Sequence, residues 1–534
     1  MHVLFGLLFF FNLVKMKNVK KIKYHVLNEK FLYCLFLFLF CIMVNYSFDY
    51  IFKIIYALAL FSILILLKDT LKYIYILFIV FLSVLGSLYF PIGQIFGSPS
   101  YNTVLSVFST NYLEAKEFLF SIPVFYYLSS LLILILAGIL LIKKDIILPL
   151  KGKKWLFIFA MATCLHGPIK SMFSGEGFHL YKTGLPPIKF MIDFYRSIEK
   201  FKKDHQKTIS ALNNDTWGNV SSNPDYSNYI LVIGESVRKD FMHTYGFQIK
   251  NTPFSDQAQG IFFKNYLSAA SSTQMSLMNT LALRENDELQ LQNNIISLAN
   301  KAGFKTYWFS NQGSRGTDDT AMANFARKAQ VRQFLKPGSW SVNYSGSDEK
   351  LLPFIESALN NEDSKPKLII VHLMGSHPPV CKRTQDQFDV YFRSKDLSCY
   401  IQTIKDTDTV LKKITKIANE KKDKWSMMYF SDHGLALKMQ NNLDSQLHHS
   451  NKYKQNFEVP MFIISSDATQ RTEITAHRSA FSFLSLFSEW TGIKAEKIPE
   501  NCHFLSNTVC KNQTSVMLWN QKTVDIKDLP SDPG

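Results

Sequence analysis

The sequence predicts an N-terminal five-helix transmembrane bundle followed by a C-terminal α/β domain with a central, mainly parallel sheet. Three observations carry this. Long apolar runs crowd the first third of the 534 residues, among them FLYCLFLFLFCIMV (31–44) and YIYILFIVFLSVLGSLYF (73–90). From about residue 229 the composition becomes that of a globular domain and stays so nearly to the end. Within that second part, short apolar runs stop repeatedly at polar clusters, as buried strands do when they feed a ligand site beyond their carboxyl ends.

A helix needs about 20 mainly apolar residues to cross the hydrocarbon layer. Five segments qualify, at about 31–48, 50–67, 71–90, 122–142 and 154–170. Buried helices of a soluble core would carry a polar face, which these runs lack. Lys17, Lys20, Lys21 and Lys23 precede the first span, and Lys68 and Lys72 sit between the second and third. Lys143, Lys144, Lys151, Lys153 and Lys154 sit between the fourth and fifth. The positive-inside rule makes these three clusters cytoplasmic and places everything after the fifth span outside. The opening MHVLFGLLFFFNLV (1–14) resembles a signal-peptide core without a basic start or a cleavage site, and Met16 is an alternative start.

The net charge of +16 reflects topology and anionic headgroups rather than nucleic acid, since many of the lysines flank the spans. Cys34, Cys41 and Cys164 fall inside spans, whereas Cys381, Cys399, Cys502 and Cys510 all fall outside. An even number in an oxidising compartment predicts two disulfides. Of the three pairings, the nearest-neighbour one, Cys381–Cys399 and Cys502–Cys510, is the expected one.

Residues 91–121 read as an external loop of the membrane domain (1–170), and 171–228 as a connector. In the connector, Ile188, Met191, Ile192, Tyr195 and Ile198 recur at helical spacing, which predicts an amphipathic helix. The globular domain spans 229–526, and 527–534 reads as a disordered tail.

Four apolar runs of that domain end on functional side chains. YILVIGES reaches Glu235, TYWFSNQGSR reaches Asn311 and Arg315, LIIVHLMGSH reaches His377, and WSMMYFSDHG reaches Asp432 and His433. One polar strand end is an ordinary turn; four together predict a site. Glu, Asp and His are oxygen and nitrogen ligands that suit zinc. A nucleophile candidate lies in SAASSTQMSLMNTLA (268–282), where small residues lead into a helical pattern. A hydroxyl at that helix start would meet free N–H groups that favour an alkoxide and a bound phosphate. Ser271, Ser272 and Thr273 are not separable on these grounds, and each could equally be an N-cap.

With these motifs in place, the chain resembles the phosphoethanolamine transferases of the sulfatase/alkaline-phosphatase superfamily, which include the lipid A modifying enzymes. The motif G-E-S/T matches Gly234-Glu235-Ser236, S/T-T-x-x-S matches Ser272 to Ser276, S-D-H-G matches Ser431 to Gly434, and G-S-H matches Gly375 to His377. The resemblance implies a sulfatase-like catalytic domain in the periplasm of a bacterial inner-membrane protein. It implies that Thr273 is the nucleophile and that Glu235, Asp432 and His433 hold a catalytic Zn2+ with it; a second ion is compatible with the pattern. It further implies that His377 and His449, or the neighbouring His448, serve proton transfer or phosphate binding, and that Asn311 and Arg315 lie beside the phosphate. In the loop 91–121, Ser106, Thr110 and Glu114 resemble the donor-site pattern N-x-x-x-T-x-x-x-E, with Ser106 in place of Asn.

The implied reaction is ping-pong. Thr273 takes phosphoethanolamine from phosphatidylethanolamine, and a monomeric enzyme passes it to a lipopolysaccharide or lipooligosaccharide acceptor, at lipid A or a core sugar. Three departures from the lipid A enzymes bear on the acceptor: the C-G-T segment beside the nucleophile is absent, Arg315 replaces Lys, and Leu435 follows S-D-H-G. A phosphoglycerol transferase of the same plan is the nearest rival. A non-catalytic membrane transport or binding protein is disfavoured by spans almost free of charged residues. A serine hydrolase using Ser236 is disfavoured because Gly-Glu-Ser-Val-Arg lacks the second glycine of a nucleophile elbow.

Overall fold

A computed structural model describes residues 27–110, 112–144, 152–211, 214–285, 288–314, 321–337, 346–421, 423–438, 445–500 and 502–533. The helices that bear on the membrane and the site are, in chain order, α1 (Leu27–Ser47), α2 (Ile54–Thr70), α3 (Lys72–Phe96), α4 (Tyr101–Ser109), α5 (Tyr112–Ser121), α6 (Val124–Ile142), α7 (Lys153–Phe173), α8 (Pro186–Ala211), α9 (Thr273–Leu281) and α10 (Lys395–Asn419). The chain divides into two units. One takes the chain as far as Ser98 together with Pro123–Asp193; the other takes Pro99–Ile122 and Phe194–Gly534.

The first unit is a helical bundle in which α3 lies against α6, α1 against both, and α2 against α7. Leu37, Phe40, Val44, Leu64, Ile79 and Ile133 are fully buried between the helices. Gly93 lets α3 approach the Ser47 carbonyl so closely that a Cβ would collide with it. Phe31, Leu77, Leu88 and Leu128 are more than half exposed, as side chains facing lipid would be. Glu29–Ser47, Lys72–Phe96, Val124–Ile142 and Lys153–Phe173 are four described helices long and apolar enough to cross a membrane. The expected count of five is met only in part. The remaining helix, α2, has 17 residues, a length of about 26 Å against a hydrocarbon core of about 30 Å. The first lysine cluster and Lys151 lie outside the described residues.

The second unit is built on an eight-stranded sheet. Its strands are β1 (Asn228–Gly234), β2 (Gly260–Phe263), β3 (Lys305–Ser314), β4 (Val331–Pro337), β5 (Lys367–His372), β6 (Trp425–Ser431), β7 (Met461–Ser465) and β8 (Arg471–Ile474), in the spatial order 8-2-7-6-1-5-3-4. Only β7 runs against the others, so the sheet is mainly parallel as expected. Strands β1, β5 and β6 are buried along their whole length, which explains why they read as continuous apolar runs. Against the sheet lies α10, burying Leu397, Tyr400, Ile404, Leu411 and Ile414. Ser394 caps its start by accepting a hydrogen bond from the Leu397 N–H at 3.2 Å.

Register decides the function. Ser431 pairs with Gly234, Ile233 with His372, and His372 with Ser310. The carboxyl ends of β6, β1, β5 and β3 are therefore level, and the residues that follow them emerge side by side.

Three boundaries differ from the sequence reading. Residues 99–122 belong with the sheet-containing unit rather than with the bundle, because α4 and α5 bond to it. The connector does not form a separate segment: α8 carries the predicted amphipathic helix and continues through the division at 193/194. The tail is ordered. Ile526 and Leu529 join a small apolar cluster, and Asp532 is 8% exposed. Both expected disulfides are formed, Cys381 with Cys399 on α10 and Cys502 with Cys510.

Candidate active site

Glu235 is the residue at which β1 ends, and it is fully buried. The next residue, Ser236, has φ +61°, a left-handed conformation uncommon outside glycine. That turn aims the Ser236 N–H at Asp432 Oδ1 (3.0 Å) and lets its hydroxyl donate to Glu235 Oε1 (2.6 Å). Tyr400 on α10 fixes the turn from behind, donating to the Ser236 carbonyl and accepting from the Arg238 N–H. Gly375 has φ +47°, and a Cβ there would lie 3.1 Å from the Glu235 backbone nitrogen and oxygen. The G-S-H turn can lie against Glu235 only because that position is glycine.

Asp432 and His433 follow β6 and are likewise fully buried. Asp432 Oδ1 also accepts from the His433 N–H at 2.7 Å, while Asp432 Oδ2 has no partner. His433 Nδ1 lies 2.9 Å from the Gly434 carbonyl. The tautomer that donates there leaves Nε2 unprotonated and facing Glu235 Oε1 at 3.4 Å and Asp432 Oδ2 at 3.5 Å. Thr273 opens α9 with its hydroxyl donating to Glu235 Oε2 at 3.1 Å and lying 3.3 Å from His433 Nε2. Ser276, one turn on, donates to the Asp432 carbonyl at 2.5 Å and binds the helix to the S-D-H-G loop.

Ligand atoms of Glu235, Asp432 and His433 lie within 4.8 Å of one another. Two carboxylates, one imidazole aimed by a backbone carbonyl, and a buried carboxylate oxygen left without a hydrogen are a donor set that fits zinc. The electrostatics agree. Burial pushes Asp432 up to about 7, and the neighbouring Glu235 charge adds to it. For His433, burial works downward, but Asp432 and Glu235 overcome it and raise the imidazole to about 9. Burial would also raise Glu235, yet its hydrogen bond to His433 holds it well below the usual carboxylate range. A site that retains protons this firmly is one a cation would discharge.

Around this cluster stand the other expected residues. His377 follows the G-S-H turn, with Nδ1 2.6 Å from the Pro378 carbonyl. The His449 ring lies 5.3 Å from His433 and 6.3 Å from His377, centroid to centroid, so His449 is the histidine of the pair that joins the group. His448 instead ends a short strand, pairs with Ala436, and buries an unpartnered Nδ1. Asn311 does not face the site. It is fully buried and donates to the Gly346 carbonyl (3.0 Å) and to Asp348 Oδ1 (2.8 Å). Asp348 in turn accepts from the Met374 and Gly375 N–H groups, so Asn311 supports the turn that carries His377.

In the loop segment, the Thr110 hydroxyl donates back to the Ser106 carbonyl at 2.6 Å and closes the end of α4. Glu114 lies on α5, but its side chain, like all of Arg315, lies outside the described residues.

Sequence reasoning missed several neighbours. Gln312, next to Asn311, donates to the Leu373 carbonyl at 2.9 Å and reaches Glu235 Oε2 at 3.4 Å. His372, the last residue of β5, is buried beside Ser310 and Trp308, and burial pushes it down to about 4. Asn102 and Glu117 reach the catalytic unit from the loop segment. Nothing in local pattern distinguishes these residues; each is recognisable only by its partner.

The sulfatase family matches residues 227–493, the part of the chain that holds the sheet and the cluster. Phosphoethanolamine transferase OpgE of Escherichia coli (strain K12) is 38% identical over 479 residues, which cover 88% of this chain and 90% of that protein. The solved integral membrane lipooligosaccharide phosphoethanolamine transferase A (EptA) of Neisseria meningitidis shares the fold with a TM-score of 0.58 and 17% identity, over 88% of this chain and 97% of that one. The periplasmic domain of EcEptC from Escherichia coli, solved in complex with Zn, covers 59% of this chain and 96% of its own with a TM-score of 0.50 and 21% identity. The family match over the sheet and the identity to a phosphoethanolamine transferase along nearly its whole length show that the chain belongs to the sulfatase family and, within it, to the phosphoethanolamine transferases.

Proposed function

We propose that this enzyme transfers phosphoethanolamine from phosphatidylethanolamine to a lipopolysaccharide or lipooligosaccharide acceptor, at lipid A or a core sugar, through an ester on Thr273. The observation that carries the proposal is the Thr273 hydroxyl, held at the first residue of α9 within 3.3 Å of both Glu235 and His433. Thr273 Oγ1 forms a bond to phosphorus, the bond from phosphorus to the diacylglycerol oxygen breaks, and the proton lost by the threonine is balanced by the one the departing diacylglycerol oxygen takes up. We assign the proton transfers to His377 and His449, whose rings lie 6.3 Å apart; burial pushes His449 down to about 3 and keeps it neutral, so protonating the departing oxygen falls to His377. Zinc bound by Glu235, Asp432, His433 and Thr273 would lower the pKa of a bound hydroxyl and offset charge on the phosphoryl oxygens. The relative solved with Zn supports zinc over another ion.

The first-turn N–H groups of α9 are placed to receive a phosphoryl oxygen, because Ser272 makes no side-chain cap to them. Arg315 is assigned to the phosphate and Glu114, with Ser106 and Thr110, to the ethanolamine headgroup. We assign α2 as the fifth span, its short apolar length accommodated by local thinning of the bilayer. The lysine clusters then face the cytoplasm and the catalytic unit faces the periplasm of a monomer.

Incubation with phosphatidylethanolamine alone, followed by peptide mass spectrometry, should find phosphoethanolamine on Thr273. Thr273→Ala should lose the adduct while still binding zinc. An adduct on Ser271 or Ser272, or turnover by Thr273→Ala, would overturn the assignment.

A further inference from the structure

Residues 99–122 sit in sequence between the helices α3 and α6, yet both ends of the segment are bonded into the catalytic unit. The two bonds fall on opposite partners of the reaction.

At the first end, Asn102 is 2% exposed, and its own N–H donates to the Trp519 carbonyl at 3.3 Å. Its Oδ1 accepts the Ser272 hydroxyl at 2.6 Å. Ser272 is the N-cap of α9, with extended φ −150° and ψ 146°. A serine in that position ordinarily turns its oxygen back to the N–H groups of the first turn. Here no such bond forms, since the hydroxyl is directed to Asn102. Two results follow. The first-turn donors of α9 stay open, and the residue preceding Thr273 is fixed by a group from the inter-span segment.

At the second end, Glu117 Oε2 accepts from Arg383 Nη2 at 2.6 Å, and both side chains are less than a tenth exposed. Lys382 adds a second cation at 3.7 Å. Arg383 Nε also donates to the His377 carbonyl at 3.1 Å. Glu117 thus acts on His377 through one guanidinium, whose planar fork holds both acceptors in fixed geometry. The Cys381–Cys399 bond anchors the same stretch to α10 from the other side, so Glu117 completes a rigid frame.

We propose that the inter-span segment is a two-ended positioning element: Asn102 sets the nucleophile segment through Ser272, and Glu117 sets the His377 turn through Arg383. The proposal rests on the roles given above to Thr273 and His377. It assigns Asn102 to the attack on the donor and Glu117 to discharge of the ester to the acceptor.

The test uses the full chain in detergent with phosphatidylethanolamine as donor. Adduct on Thr273 is timed by quenching, and discharge is timed by a chase with total envelope glycolipid and glycan extract of the source bacterium. Asn102→Ala should slow adduct formation on the order of 10- to 100-fold and leave the chase rate unchanged. Glu117→Gln should do the reverse. Asn102→Ala combined with Ser272→Ala should be no slower than either alone, as should Glu117→Gln combined with Arg383→Ala, because each pair forms one connection. Glu117→Asp, which keeps the charge, replaces Glu117→Gln should the latter fail to fold, with a smaller loss confined to the chase. Equal loss of both steps, loss of neither, the opposite division between steps, or additivity within a pair overturns the proposal. Absence of any Thr273 adduct in the unaltered protein instead overturns the ester mechanism itself, so the two failures are distinct.

Discussion

Substituting Asp532 by alanine removes the contact that fastens the last residues beneath the metal-binding loop. Asp532 Oδ2 accepts from Arg238 Nη1 at 2.5 Å and from the Leu437 N–H at 2.8 Å. The two ionised side chains are 2% and 1% exposed. Breaking a buried pair by removing one partner costs about 3–5 kcal/mol when the remaining charge is left alone. Arg238 is not left alone, because Asp240 accepts from its Nε at 2.9 Å and its Nη2 at 2.6 Å. Asp240 is 49% exposed, so it compensates only in part. A loss of about 2–3 kcal/mol is expected, with the orphaned Leu437 amide contributing about 1 kcal/mol of it.

In a unit of this size that corresponds to a fall in Tm of about 3–4 °C, read by tryptophan fluorescence of the full chain in one detergent at fixed zinc. Asp532→Asn, which keeps an acceptor but not the charge, should fall between. Arg238 Nη1 also donates to the Leu435 carbonyl at 3.3 Å, two residues past His433, so zinc affinity should fall along with Tm. A shift below about 1 °C in both variants would show that the tail contributes nothing, and the argument from burial would be refuted.

Zinc binding should release protons. Asp432 and His433 are raised to about 7 and about 9, so affinity measured by titration calorimetry should climb with pH through neutrality and level off near 9; a pH-independent affinity would contradict the cluster. In the metal-free protein the same His433 shift has the opposite consequence: its stabilisation is full below the unfolded value of about 6.5 and is lost as pH rises toward about 9, which a Tm series in chelator would detect. Replacing Cys381 and Cys399 by serine opens a loop of sequence separation 18 and should cost about 3 kcal/mol, visible as a lower Tm under non-reducing conditions only.

Glu235, Asp432 and His433 were legible in the sequence because they follow short apolar runs, YILVIG and WSMMYF, whose strand length and bounding polar residues already specify buried strands. Once those strands are parallel and in register, their ends must be neighbours, so motif and site coincide. Asn311 shows where that logic stops. It ends such a run, but its side chain is taken up by the Gly346 carbonyl and Asp348 rather than by the cluster. Its neighbour Gln312, in the irregularity that interrupts the ladder between Ser310 and Gly313, is the one that reaches Glu235. Composition misled at the C-terminus for a related reason. The residues Leu-Pro-Ser-Asp-Pro (529–533) carry every local sign of disorder, yet the Asp532 carboxylate fastens them where a buried guanidinium and an amide are waiting for it.

The contacts that sequence reading missed have one property in common, their separation along the chain. Ser272 and Asn102 are 170 residues apart, Arg383 and Glu117 are 266 apart, and Arg238 and Asp532 are 294 apart. Hydropathy assigns a segment to membrane or water from its own residues, and four of the described helices are long and apolar enough to cross. It has no means of assigning the polar stretch between two spans, because that depends on which partners the stretch meets. Here α4 and α5 meet the catalytic unit through a hydroxyl and a buried charge, interactions whose strength comes from being withdrawn from water. An asparagine and a glutamate between two spans give no hint of that withdrawal. Asn102 and Glu117, buried against Ser272 and Arg383, account for residues 99–122 joining the unit that holds Thr273 and His377.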